Sequence, residues 1–179
     1  MKPIIFLIVF TLFLVNNGFA QTDQKPEKSN KKDKMDDTSQ SGRKLIESGF
    51  FEFQPTQALP MTGGTVNVMS GQYFLRIEGD MAESALPFFG TSHQADLTGS
   101  GGIQFTAKMR DYKIENNEKK SRFKISFKAS DSRDQYDLFL ESGYDGLSTL
   151  RVGCYNKSPM TYFGYITKIS KPEKKKFDK

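Results

Sequence analysis

The sequence predicts a mainly β domain: an antiparallel meander of about eight or nine strands forming a curved sheet or partly closed barrel, with one short N-terminal helix. Three observations carry this. Apolar and polar residues alternate with a period of two along most of the chain after Phe50. Clusters of Gly, Pro, Asn and Asp interrupt the alternation at roughly ten-residue intervals, as turns between short strands do. Sixteen Phe and seven Tyr, with no Trp, stand mostly in the apolar phase, where they supply a core.

The elements follow in order. Ser39-Gln40-Ser41 can cap a helix through Arg43, Lys44, Leu45, Ile46 and Glu47, and Gly49 stops it. Leu45 and Ile46 give that helix one apolar edge to dock on a sheet. Phe50-Phe51-Glu52-Phe53 alternates as a first strand, and Pro55 and Pro60 frame a loop after it. Gly63-Gly64 opens Thr65-Val66-Asn67-Val68. Ser70-Gly71 turns into a strand from Tyr73 to Glu78, closed by Gly79-Asp80. A long connection is expected from Met81 to Gly102. Connections beyond about twelve residues are uncommon in compact domains and often functional.

The second half is more regular. Ile103, Phe105, Ala107 and Met109 alternate with Gln104, Thr106 and Lys108. Tyr112-Lys113-Ile114 follows, and Glu115 to Lys120 reads as a turn around Asn116-Asn117. Phe123, Ile125 and Phe127 alternate with Lys124, Ser126 and Lys128, a half-buried strand with a lysine-bearing outer face. Tyr136, Leu138 and Leu140 alternate with Asp137, Phe139 and Glu141. Ser142 to Gly146 turns the chain into a strand from Leu147 to Cys154, and a last strand runs from about Met160 to Ile166. The stretch from Ile103 to Ile166 therefore reads as consecutive hairpins.

The termini carry an address. Met1-Lys2 is a basic start, Ile4 to Val15 is apolar apart from Thr11, and Gly18 and Ala20 stand at small-residue positions before Gln21. This is the pattern of a secretory signal peptide over residues 1–20, cleaved after Ala20. Its apolar core falls short of the roughly 20 residues of a membrane span. Gln21 stands where a lipid-bearing cysteine would, so neither a membrane span nor a lipid anchor is expected and the protein is expected to be secreted, or periplasmic. Residues 21–40 carry five lysines and five acids with Met35 as the one large apolar side chain, which predicts a disordered charged linker. A single β-rich domain is expected over residues 41–168, and residues 169–179 form a basic, disordered tail.

The formal charge of +5 falls to +4 once Lys2 leaves with the signal peptide. Six lysines from Lys168 to Lys179, against Glu173 and Asp178, hold that whole excess, so the rest is near neutral and no nucleic-acid partner is expected. Cys154 is the single cysteine, so no internal disulfide exists. A lone thiol in an oxidising compartment is either buried and inert or pairs between chains. Its place in a strand favours burial, and a monomer is expected.

Several stretches together resemble one family. Leu86-Pro87-Phe88-Phe89-Gly90, Gly101-Gly102-Ile103 with Phe105, and Tyr162, Gly164 and Ile166 are similar to the pattern of domain-of-unknown-function family 4251, a group of bacterial envelope proteins. The resemblance covers about Arg43 to Ile166. It implies a signal sequence and a single β-rich domain. The family has no assigned activity, so the resemblance implies no catalytic residues. Where such proteins often carry an Arg or an aromatic after Gly90, this chain has Thr91-Ser92-His93.

Catalytic and metal constellations are sparse. A zinc site needs three or four N, S or O ligands, and the chain offers one His and one Cys without paired spacing. No calcium-loop pattern appears, and no metal or cofactor is expected. Ser92, His93 and Asp96 lie too close in one loop to converge as a triad, and nothing places His93 beside Cys154. Gly99, Gly101 and Gly102 precede a strand rather than a helix, so they form no phosphate loop. No enzyme is expected.

Aromatics outside the alternation are the candidate site. Phe88 and Phe89 sit between Pro87 and Gly90 in the long connection, Tyr144 sits in a tight turn, and Tyr162 and Tyr165 make both faces of the last strand aromatic around Phe163. Exposed aromatics mark binding surfaces. The competing reading of Phe88-Phe89 is a plug for the open end of the sheet or barrel. The expectation is a non-enzymatic binding module for a small apolar or mixed ligand or a peptide, with Phe88, Phe89, Tyr144, Tyr162 and Tyr165 as ligand-binding residues. The alternative is a structural or interaction protein of the cell envelope that uses a strand edge or the basic tail.

Overall fold

The computed structural model describes residues 41–69, 71–93, 102–132 and 134–169. The expected signal peptide and charged linker (residues 1–40), Asp96, Gly99, Gly101 and residues 170–179 of the expected tail lie outside the described residues. A helix α1 covers residues 41–48, and its last turn is closed by the Gly49 N–H on the Ile46 carbonyl at 3.1 Å. Gly49 stands at φ +70°, a left-handed conformation that glycine adopts without steric cost.

Ten strands follow: β1 Phe50–Pro60, β2 Val66–Asn67, β3 Phe74–Glu78, β4 Met81–Leu86, β5 Ile103–Lys108, β6 Arg110–Asn117, β7 Arg122–Ser130, β8 Gln135–Gly143, β9 Leu147–Cys154 and β10 Met160–Thr167. They form one antiparallel sheet in the order β5-β4-β3-β1-β10-β9-β8-β7-β6, with the short β2 paired to β1. The first strand pairs with the last, Phe53 opposite Ile166, which curls the meander into a nearly closed barrel. The two edges of the sheet are successive parts of one chain path. β5 pairs with β4, the chain bends at Met109, and β6 pairs with β7. The Met109 N–H is held by the Asp80 carbonyl at 2.8 Å, and Asp111 takes φ +53° within a ladder irregularity between Arg110 and Lys113. The bend carries the strand from one side of the seam to the other.

Period-two alternation decides what lies inside. Phe51, Phe53, Leu75, Ile77, Leu86, Ile103, Phe123, Ile125, Leu138, Leu140, Leu150 and Tyr162 are buried in one core. Phe105 and Tyr136 stack there with ring centroids 4.7 Å apart. Both ends of the barrel are covered. At one end Ile46 of α1 is buried, and Gly42 passes so close to the β8–β9 turn that an added Cβ would lie 2.6 Å from the Tyr144 carbonyl oxygen. At the other end residues 87–93 run against the β9–β10 connection, with His93 N–H on the Asn156 carbonyl and Ser158 N–H on the Thr91 carbonyl.

Three strands depart from expectation. β1 continues through both prolines rather than ending before Pro55. Proline has no N–H to give a ladder, and the chain absorbs this with a bulge between Pro55 and Gln57 that moves the inward positions from Phe51 and Phe53 to Ala58 and Pro60. β4 lies within the expected long connection. Its sequence MAESAL lacks aromatic and β-branched residues, yet Ala82, Ser84 and Leu86 alternate inward. The connection proper is therefore residues 87–102. β6 extends to Asn117, and the turn is the 3-10 segment Glu118–Lys120.

A polar clasp crosses the outer wall. Glu52 is 3% exposed although it points outward. The Arg76 guanidinium donates to Glu52 Oε2 through Nη2 at 2.9 Å and Nε at 3.1 Å, and to Glu83 Oε2 through Nη1 at 2.9 Å, so it ties β3 to β1 and β4. It also lies 4.5 Å over the Phe74 ring.

Candidate functional site

The outer faces of β6 to β10 form a groove of about 740 Å³. Its floor is aromatic. Phe139 stands outward on β8 opposite Ser126 and Arg151, and Phe163 stands outward on β10 opposite Thr149. Phe139 is 55% exposed and Phe163 36%. A smaller hollow of about 360 Å³ shares Glu141, Thr149 and Phe163 and continues toward Leu147, which is also exposed.

Charged groups rim this floor. Glu141 lies 3.7 Å from Arg122 Nη1 and 3.9 Å from Lys124 Nζ. Lys113, Glu115 and Arg151 complete the lining, and among the described residues Lys113 and Arg151 form no ion pair. The arrangement offers an apolar surface beside two cations, Lys113 and Arg151, and one carboxylate, Glu115, none of them in an ion pair among the described residues, with the Ser126 and Thr149 hydroxyls between.

The five aromatics expected to bind ligand do not converge. Tyr162 is fully buried, and its hydroxyl donates to the Pro87 carbonyl at 2.7 Å. It is a core residue that anchors the segment crossing the barrel end, and burial raises its hydroxyl pKa well above the usual tyrosine value. Phe88 is half-buried against the core with Lys157 Nζ 5.8 Å above its ring, as a plug would be, while Phe89 is 43% exposed at that end. Tyr144 lies at the opposite end, beneath the Arg43 guanidinium at 5.1 Å, and its hydroxyl donates to Asn116 Oδ1 at 2.7 Å. Tyr165 is exposed on the outer wall and donates to Gln54 Oε1, which extends the Glu52 clasp.

Phe139 and Phe163 were absent from the expected site. The signal was present for Phe139: it is an aromatic in the polar phase of its strand, between Asp137 and Glu141. The curvature that gathers it with Phe163 and Arg151 is a property of the closed sheet and has no local pattern.

His93 is exposed at the covered end, and its backbone pairs with Asn156. Cys154 is half-buried rather than fully buried, opposite Tyr136 in the ladder, and burial pushes its thiol pKa up to about 11. Among the described residues no group of three His, Cys, Asp or Glu side chains is placed to hold a metal ion, and no helix is long and apolar enough to cross a membrane.

Strand order, filled interior and covered ends define a small up-and-down antiparallel barrel domain. The chain belongs to the family described as a domain of unknown function (DUF4251), whose pattern matches residues 33–166. A crystal structure of a DUF4251 family protein from Bacteroides eggerthii has the same fold, with a TM-score of 0.56 at 17% sequence identity, covering 73% of this chain and 87% of that one. No curated protein matches the chain.

Proposed function

We propose that this protein is a non-enzymatic binding module working outside the cytoplasm, and that its outer groove takes a peptide or small ligand carrying both an apolar group and an acidic one. The observation that carries the reading is the exposed Phe139–Phe163 floor beside Arg151 and Lys113. Aromatics held open on a rigid sheet contribute contact area at little entropic cost, and a neighbouring cation fixes orientation. The apolar run from Ile4 to Val15, followed by small residues at Gly18 and Ala20, supports the extracytoplasmic placement.

The test uses anilinonaphthalene sulfonate, an apolar anion, as a probe. Native chain is expected to enhance its fluorescence. Phe139→Ser combined with Phe163→Ser is expected to abolish the enhancement, and Arg151→Ala to reduce it. Each Phe→Ser change should cost about 1 kcal/mol, the span of strand preference at a half-buried sheet position, well below the cost of removing a core Phe. Equal enhancement by all variants would overturn the groove. Native mass spectrometry of the chain purified gently from its own compartment then reads any co-purifying mass and its class.

One observation favours the second reading, an interaction protein of the cell envelope. Every residue of β6 is exposed, and among the described residues that strand has one ladder partner, β7. An edge of this kind accepts an added strand.

A further inference from the structure

We propose that β6 is a self-complementary edge through which two copies of this chain pair, antiparallel and centred on Ile114. This goes beyond the groove reading and develops the exposed β6 edge, whose Lys113 also borders the groove.

The regular part of β6 is bounded on both sides. Asp111, at φ +53° within the ladder irregularity, ends it at one side. Asn117 ends it at the other, where its side chain accepts the Lys120 N–H and starts the 3-10 turn. The midpoint between those two residues is Ile114. A two-fold axis perpendicular to the sheet at Ile114 would place Lys113 opposite the second copy's Glu115, and Glu115 opposite its Lys113. Paired residues share a face of the sheet, so both contacts would fall on the outer face, where Lys113 and Glu115 already line the groove. On the other face Ile114 would meet its own copy and Tyr112 would meet Asn116. Ile114 is 43% exposed and Tyr112 39%, so pairing would remove apolar surface from water.

The neighbouring registers lack this match. Centring on Lys113 sets it against itself and Glu115 against Asp111. Centring on Glu115 sets that carboxylate against itself. Like charges directly opposite each other destabilise a strand pair. Centring on Tyr112 draws the bulged Asp111 and Arg110 into the ladder. Among the described residues, neither Lys113 nor Glu115 has an ion-pair partner within its own chain. A ladder this short buries little area, so the dimer is weak and its population depends on concentration. Each copy's groove would then continue across the seam onto the other copy's rim.

Sedimentation velocity of the full chain from roughly 10 µM to 1 mM tests this, a range suited to weak association. The native chain is expected to shift from monomer to dimer. Lys113→Glu and Glu115→Lys each turn both cross-pairs repulsive, so each alone should weaken association at least about tenfold. An equimolar mixture of the two variants restores opposite charges at both positions and should dimerise as a heterodimer. Far-UV circular dichroism and the thermal midpoint confirm that both variants fold. A native chain that stays monomeric at the highest concentration would overturn the proposal. So would single variants that dimerise as tightly as the native chain, or a mixture that associates no better than either variant alone.

Discussion

The Tyr162 hydroxyl donates to the Pro87 carbonyl at 2.7 Å, and this bond joins the last strand to the segment that crosses one end of the barrel. Both groups are cut off from water, so neither can exchange the bond for a solvent one.

Tyr162→Phe keeps the ring and orphans the carbonyl. The expected cost is about 1–3 kcal/mol, the penalty of a buried acceptor left without a donor. The loosening should be local as well. Amide hydrogen exchange at His93 and Ser158, whose N–H groups tie residues 87–93 to the β9–β10 connection, should speed up more than exchange in β7 or β8. Uniform exchange across the domain would show that Tyr162 does not secure this end.

Arg76→Ala leaves the Glu52 carboxylate, 3% exposed, without its counter-ion. Removing one member of a buried pair costs about 3–5 kcal/mol. Adding Glu52→Gln removes the stranded charge and should recover a large part of the loss. Urea denaturation of the two single variants and the double variant gives the coupling directly. Equal and additive losses would mean that the pair is not coupled.

Stability should fall at alkaline pH. Burial raises the thiol of Cys154 to about 11 and the hydroxyls of Tyr136 and Tyr162 well above the usual tyrosine value. A group whose folded value exceeds its unfolded one binds more protons in the folded state. Its contribution is complete below the unfolded value and is lost as pH rises toward the folded one. Thermal midpoints should hold up to about pH 9 and drop beyond it. At pH 8 Cys154 should react with a disulfide reagent more slowly than an exposed cysteine, because burial holds down its thiolate fraction. Rapid labelling at pH 8 would contradict the half-buried placement.

Much of this fold is written locally. The strands from Phe123 to Ile166 alternate so regularly that their bounds can be read from side-chain polarity, and Gly49 marks the end of α1 at the position where its left-handed backbone is found. What escaped reading depends on the partner across the ladder. MAESAL becomes β4 because β3 and β5 flank it, not because Ala and Ser favour strands. Pro55 survives inside β1 because a bulge absorbs its missing N–H. The groove was illegible for the same reason. Phe139 and Phe163 lie on different strands, and β9 between them sets how close their rings stand.

The ladder between β1 and β10 has a kinetic meaning. The β3–β4 ladder and the successive ladders from β6 to β10 join strands separated by a short turn, while β4 and β5 close across residues 87–102 and β1 and β3 across residues 61–73. Phe53 and Ile166 meet only after nearly the whole domain has been gathered between them. That pairing spans the longest stretch of chain, so it carries the largest loop-closure entropy and is expected to form after the hairpins.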